Sequence, residues 1–221
     1  MKFKRFGIEF CRLQRSEIEM LRQWRNDDKI RQFYFYKDLI TQDQQQVWFS
    51  KIDNECNFYF IIKLNGVPVG LIHASEIDWR KGEAFVGLFI YADRYMGTNV
   101  PVLSSLGFLD VMFEIFGLEQ LFAKVMGSNS VAVEYNKKLG FRYVEELDQP
   151  GGQLFLLTVN HYRHKTQLKE YALQTKGNGM EIELNHDDLI TQPNVCARID
   201  RLSIQLKERL AVTILKESPV A

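Results

Sequence analysis

The chain has 221 residues, which suits one domain with an appendage better than two full domains. Apolar residues make up 46% and charged residues 25%, so a core of ordinary size is available. Lys and Arg total 28 and Asp and Glu total 28, and this zero net charge gives no general pull toward nucleic acid or an anionic membrane.

Residues 8–13 open the pattern with a short strand. Ser16 followed by Glu19 has the spacing of a capping box, and Ile18, Leu21 and Trp24 recur at helical spacing, so a helix is expected over 16–25. Thr41 and Asp43 start a second helix. Residues 57–64 are rich in aromatic and β-branched side chains and read as a strand. Asn65-Gly66 is a hairpin turn, and 67–73 is the partner strand. Residues 83–91 form a strand that is apolar on both faces, hence central in its sheet.

A loop, Ala92-Asp93-Arg94-Tyr95-Met96-Gly97-Thr98-Asn99, then leads to Pro101 in the first turn of a strongly apolar helix that stops at Gly117. Strand 121–126, helix 129–139, strand 141–147, a turn at Pro150-Gly151-Gly152 and strand 154–159 follow. The order β-α-α-β-β-β-α-β-α-β-β specifies a mixed α/β sheet with helices on both faces. Residues 161–175 read as a polar arm and 176–179 as a linker. Residues 195–214 carry Ile199, Leu202, Leu206 and Leu210 at helical spacing. The expected organisation is a domain over 1–168 and a linker with a helical extension over 169–221. That extension must pack on the domain or on a second subunit, giving a homodimer.

Cys11, Cys56 and Cys196 are far apart and lack CxxC spacing, which argues against a disulfide framework or a zinc knuckle and for reduced thiols. The first residues contain no apolar stretch of signal-peptide type. The longest apolar run, 86–92 interrupted by Gly87, is far short of the ~20 residues of a membrane helix. A soluble, cytoplasmic protein without metal is expected.

The segment richest in chemistry runs from Glu83 to Phe141. A loop at a helix start offers free amides and the positive end of the helix dipole, which suits a pyrophosphate, and Gly97 lets the backbone come close. Further on comes Ser128-Asn129-Ser130-Val131-Ala132-Val133-Glu134-Tyr135-Asn136-Lys137-Lys138-Leu139-Gly140-Phe141. This resembles the signature of the GNAT family: an Asn, an Ala, then a Tyr followed by Lys-Leu-Gly-Phe. The loop above is similar to that family's Arg/Gln-x-x-Gly-x-Gly/Ala, with Arg94 and Gly97 in place and Asn99 where the family has a small residue. Leu21 to Arg31 resembles the Trp-Arg-Asn-Asp segment of a GNAT branch. That branch acts on ribosomal-protein N-termini and on amino-sugar nucleotides of the pseudaminic-acid pathway type.

The resemblance, over residues 6–160, implies a mostly antiparallel GNAT-like sheet and an acetyl-CoA-dependent N-acetyltransferase. Its acceptor is implied to be a small-molecule primary amine, an amino-sugar nucleotide or alternatively a protein N-terminus, attacking directly in a ternary complex; the remaining alternative, supported by Asn99 in the phosphate loop, is a non-catalytic binding protein on the same fold. The central strand is implied to splay from its neighbour so that amides at Phe89, Ile90 and Tyr91, with the loop Arg94, Tyr95, Met96, Gly97, Thr98 and Asn99, bind the cofactor. Tyr135 matches the tyrosine near the thioester sulfur and is implied as general acid, its phenol pKa being ~10. Asn129 matches the pantetheine contact and equally suits a helix cap. The base is open among His73, Glu76, Glu83 and a water. Trp24, Arg25 and Asn26 are candidates for the acceptor side, with Arg25 suited to a phosphate; Trp24 equally suits core packing. The aromatic run Phe33-Tyr34-Phe35-Tyr36 either lines an acceptor pocket or covers the sheet.

Overall fold

The computed structural model describes residues 1–164 and 167–216; residues 165, 166 and 217–221, parts of the expected arm and extension, lie outside the described residues. One ten-stranded sheet organises the chain, in the order β10-β9-β1-β2-β3-β4-β5-β6-β8-β7. Its strands are β1 (Lys2–Arg5), β2 (Ile8–Arg12), β3 (Phe58–Leu64), β4 (Val67–Asp78), β5 (Glu83–Ile90), β6 (Gln120–Met126), β7 (Arg142–Glu146), β8 (Gly152–Thr158), β9 (Met180–Leu184) and β10 (Val212–Lys216). Neighbours are antiparallel except β5 with β6 and β9 with β10. The mixed, mostly antiparallel sheet is the one expected. Among the described residues no helix is long and apolar enough to cross a membrane.

Two cores flank the sheet. The smaller lies under α1 (Ile18–Asn26), α2 (Asp28–Arg31) and α3 (Gln42–Ile52), where Ile18, Leu21, Trp24 and Phe49 pack on Ile61, Leu71 and Phe89. The larger surrounds α4 (Val100–Asp110), which is largely apolar because it is buried on nearly every side, and which continues into a π-helical turn over Val111–Ile115. It is completed by α5 (Ser130–Leu139), α6 (Val159–His164) and α7 (Gln167–Lys176). Asn65 and Gly66 both have positive φ, 50° and 76°, as a type I′ hairpin turn demands.

The first helix departs from its expected start. Gln14 and Glu17, not Ser16 and Glu19, form the capping box around a 3-10 turn at Arg15–Glu17, and Glu19 pairs with Arg22 instead. Strand β1, unmarked in the sequence reading, lies between β2 and β9.

The C-terminal segment differs most. Residues 177–179, within the expected linker, are the turn joining α7 to β9, and β9 pairs with β1, so the sheet crosses the boundary expected at 168/169. The single helix expected over 195–214 is instead α9 (Pro193–Asp200), α10 (Ile204–Leu210) and β10, preceded by α8 (His186–Thr191). Ser203 restarts the helix by accepting from the Leu206 amide. Ala211, at φ 47°, ends it, and the β-branched Val212, Thr213 and Ile214 pair with β9.

A buried charge cluster ties this segment to α4. Arg5, on β1, donates to Asp110 Oδ2 through Nε at 3.0 Å and Nη2 at 2.9 Å, and also to the Asn178 carbonyl. Asp110 Oδ1 accepts from Tyr162 at 2.9 Å and Lys169 at 2.6 Å. One turn on, Glu114 accepts from Arg163 and Arg209. Removing one member of such a group leaves others buried and unpaired. Asp110→Leu is therefore expected to lower unfolding free energy by about 3–5 kcal/mol in urea titration; a loss under about 1 kcal/mol would contradict the anchoring role.

Candidate active site

Strands β5 and β6 are paired only where Glu83, Ala84 and Phe85 face Gln120, Leu121 and Phe122. Beyond Phe85 they part, although β5 runs on to Ile90 and β6 to Met126. On its other edge β5 stays paired with β4 up to Ile90 opposite Gly70. The Tyr91 amide donates to the Val69 carbonyl at 2.8 Å. Alternation along an antiparallel ladder turns the Gly87 and Phe89 amides the same way and those of Leu88 and Ile90 toward the gap. Of Phe89, Ile90 and Tyr91, expected as free donors, only Ile90 is one. Leu88 was missed because the register with β4, not the strand's own sequence, decides which parity faces outward.

The gap forms a cleft of about 370 Å³, bordered by Val86 to Leu88, Lys124 to Met126, and Asn129, Tyr135 and Asn136 of α5. At the end of β5 the chain passes through a 3-10 turn at Asp93–Tyr95 into α4. Gly97 has φ 77°, and the space its missing side chain would fill is open. Among the described residues the amides of Gly97 and Asn99 have no hydrogen-bond partner. Thr98 does the capping, its hydroxyl accepting from the Val100 amide at 3.2 Å and donating to the Tyr95 carbonyl at 2.7 Å. The Asn99 side chain is exposed and leaves the helix start uncovered. Arg94 lies over the Tyr95 ring, and Met96 is exposed beside it.

His73 on β4 stands opposite Gly87 on β5. A Cβ at Gly87 would come within 2.5 Å of His73 Cε1, so the ring lies where only a glycine leaves room. The ring also stacks on Tyr59 at 4.8 Å. Burial, then the nearby Arg25 charge, lower the His73 pKa to about 4. Glu76 also borders the cleft. It sits in a bulge of β4 with φ 53°, a conformation that costs a non-glycine residue on the order of 1 kcal/mol. Glu83 does not reach the cleft: it pairs with Gln120 at the closed end, roughly 23 Å along the strand from Ile90.

The Tyr135 hydroxyl donates to the Pro101 carbonyl at 2.8 Å and lies 2.7 Å from the Ser105 hydroxyl. Burial pushes its pKa above the usual value, so the phenol keeps its proton throughout the neutral range. Asn129 caps α5 by accepting from the Ala132 amide at 3.1 Å while lining the cleft.

The three acceptor-side candidates separate. Trp24 is buried, stacked on Tyr91 at 4.9 Å and edge-on to Phe89, so it is core. Asn26 exchanges hydrogen bonds with Ile40, pinning the loop before α3. Arg25 alone faces a cavity, one shared with Tyr34 and Tyr36 of the aromatic run; Phe33 and Phe35 line the cleft.

A central strand opened beside its neighbour, with an uncovered helix start at its end, defines an acyl-transfer architecture. Residues 8–142 match the acetyltransferase (GNAT) domain, and the chain belongs to that family. The fold resembles spermidine N-acetyltransferase from Vibrio cholerae in complex with CoA and spermine, at TM-score 0.64 and 18% identity over 71% of this chain and 98% of that one. It also resembles aminoglycoside acetyltransferase AAC(6')-Ib in complex with coenzyme A, at 0.62 and 16% over 72% and 99%. A domain from Methanocaldococcus jannaschii DSM 2661 is similar at 0.60 and 17% over 69% and 98%. No curated protein matches the chain.

The protein is thus an acyltransferase enzyme with acetyl-CoA as donor. Its residues fit that donor. Open space at Gly97 and unpartnered amides there and at Asn99 suit phosphate, and the Leu88 and Ile90 amides face the gap beyond.

His73 gives the site a pH signature. The unfolded chain protonates it near 6.5, the fold only near 4, so the unfolded state binds more protons between these values. The His73 contribution to stability is full above about 6.5 and is lost as pH falls toward 4. The stability difference between wild type and His73→Phe in denaturant titrations should shrink from pH 7 to pH 5; a constant difference would contradict this.

Proposed function

We propose that the enzyme acetylates the primary amine of a small molecule, an amino-sugar nucleotide in its finer reading, by direct attack in a complex holding donor and acceptor together. The observation that carries this is a second cavity, of about 510 Å³, that shares His73 and Tyr34 with the cleft. An amine bound there reaches the cleft at the point where the free amides begin. The resemblance of residues 21–31 to a GNAT branch adds the sugar-nucleotide reading.

Acetyl-CoA supplies an acetyl thioester open to attack by an amine. The Leu88 amide would hold the thioester carbonyl oxygen and stabilise negative charge on it, and the Ile90 amide, two residues nearer the loop, would hold the pantetheine arm. The Gly97 and Asn99 amides, with Arg94 nearby, would hold the pyrophosphate, and Asn129 the pantetheine arm. Tyr135, released from Pro101, gives its proton to the departing thiolate. The amine's proton leaves toward Glu76 or His73, directly or through water; both side chains border the cleft.

Thiol release measured across amino-sugar nucleotides, polyamines and N-terminal peptides tests the reading. The sugar nucleotides should turn over best, and faster turnover of peptides would replace it with the N-terminal reading. Tyr135→Phe should reduce kcat by ~100-fold, and a drop under about threefold removes Tyr135 as the acid.

A further inference from the structure

The second cavity contains an unusual pair of groups. Gln45, on α3, is only 4% exposed, and among the described residues its Nε2 has no hydrogen-bond partner. Arg25 Nε, on α1, is buried and likewise unpartnered. Buried donors left unsatisfied each cost ~1–3 kcal/mol, so two lining one cavity call for an acceptor inside it. The Arg25 guanidinium lies 3.3 Å from the centre of the Tyr34 ring, which fixes its plane. Glu19 is engaged with Arg22, and Asp27 with Tyr91 and the Lys29 amide, while Glu76 borders the adjoining cleft and not this cavity. Among the described residues no Asp or Glu lines the cavity, so its one formal charge there is positive. Trp48 and Tyr59, 5.0 Å apart and edge to face, supply an apolar wall for a ring.

We propose that Arg25 and Gln45 together read a compact oxyanion, a carboxylate or a phosphate, on the acceptor, and so select anionic amines against polycations. This rests on the acetylation of an amine at the junction by His73. The planar guanidinium and the amide line the same cavity and offer donors to two oxygens of one group. The ring of an amino sugar lies along Trp48 and Tyr59, with the amine toward His73. A polyamine would instead bring a second ammonium against the Arg25 guanidinium. The spermidine enzyme of similar fold is one whose acceptor is a polyamine.

The test compares turnover of glucosamine, glucosamine 6-phosphate, muramic acid and spermidine by wild type, Arg25→Gln and Gln45→Leu. In wild type, at least one anionic sugar should exceed both glucosamine and spermidine about tenfold or more in kcat/KM, since a charge-assisted hydrogen bond is worth that much. Phosphate and carboxylate sources are told apart by which sugar leads. Each substitution should shrink that advantage, through KM rather than kcat. Equal turnover of the neutral-bodied sugar, or a preference for spermidine, overturns the proposal. So does an unchanged preference in both variants.

If no amine is turned over, the acetylation reading fails separately, and binding decides the pocket. Glucosamine 6-phosphate is then titrated with CoA saturating, so that the phosphate loop is filled, and tryptophan fluorescence is followed. Binding weakened about tenfold in Arg25→Gln supports the oxyanion pocket; no binding by wild type, or equal binding by the variant, overturns it.

Discussion

The separation of β5 from β6 beyond Phe85 is the constraint on which the site depends. Each strand is held more firmly by its other neighbour. β5 is paired with β4 up to Ile90, and β6 with β8 along all of Gln120–Met126. The sheet is in effect two ladders hinged at three residue pairs. Leu88 and Ile90 leave amides without a strand partner, and Ser105, Tyr135 and Leu139 fill in behind the gap from α4 and α5. An unmade backbone hydrogen bond in a partly dry cleft is costly unless a ligand completes it. The opening is therefore both a defect in the sheet and the reason for the fold.

Holding the gap open requires that α4 stay fixed beneath it, because α4 carries the phosphate-facing loop at one end. Its other end is anchored by Asp110 and Glu114, which gather Arg5, Lys169, Arg163 and Arg209 from β1, α7, α6 and α10. The C-terminal segment thus braces the helix at the end away from the loop. At the waist between the two cavities, Gly87 and His73 make a second fixed point: the imidazole lies against a backbone with no side chain to displace it.

The strongly patterned parts were legible in the sequence. Asn65-Gly66 announced the β3–β4 hairpin, Pro101 and the apolar run to Gly117 announced α4, and the run Asn129 to Phe141 announced α5 and its Gly140 stop, which has φ 106°. Strand β9, Met-Glu-Ile-Glu-Leu, alternates buried and outward residues and could have been found by its period. β1 was harder. Lys2, Lys4 and Arg5 look like a solvated end, and only the partner Asp110, far along the chain, makes a buried Arg5 reasonable. At the site, the sequence located the strand and loop but not which amides are free, since that parity is set by pairing with β4. It named Arg25 but could not separate it from Trp24 and Asn26, whose contacts are with Tyr91 and Ile40. Gln45 carried no signal, being one of three consecutive glutamines distinguished only by the face of α3 it occupies.

The central claim is most directly tested by residue-resolved amide hydrogen exchange of the isotope-labelled protein, with and without acetyl-CoA. The account predicts that Leu88 and Ile90 exchange fast in the free protein and slow when the donor is bound, while Phe89 between them is slow in both. Protection of Leu88 and Ile90 without donor, or a response confined to Phe89 and Tyr91, would contradict it.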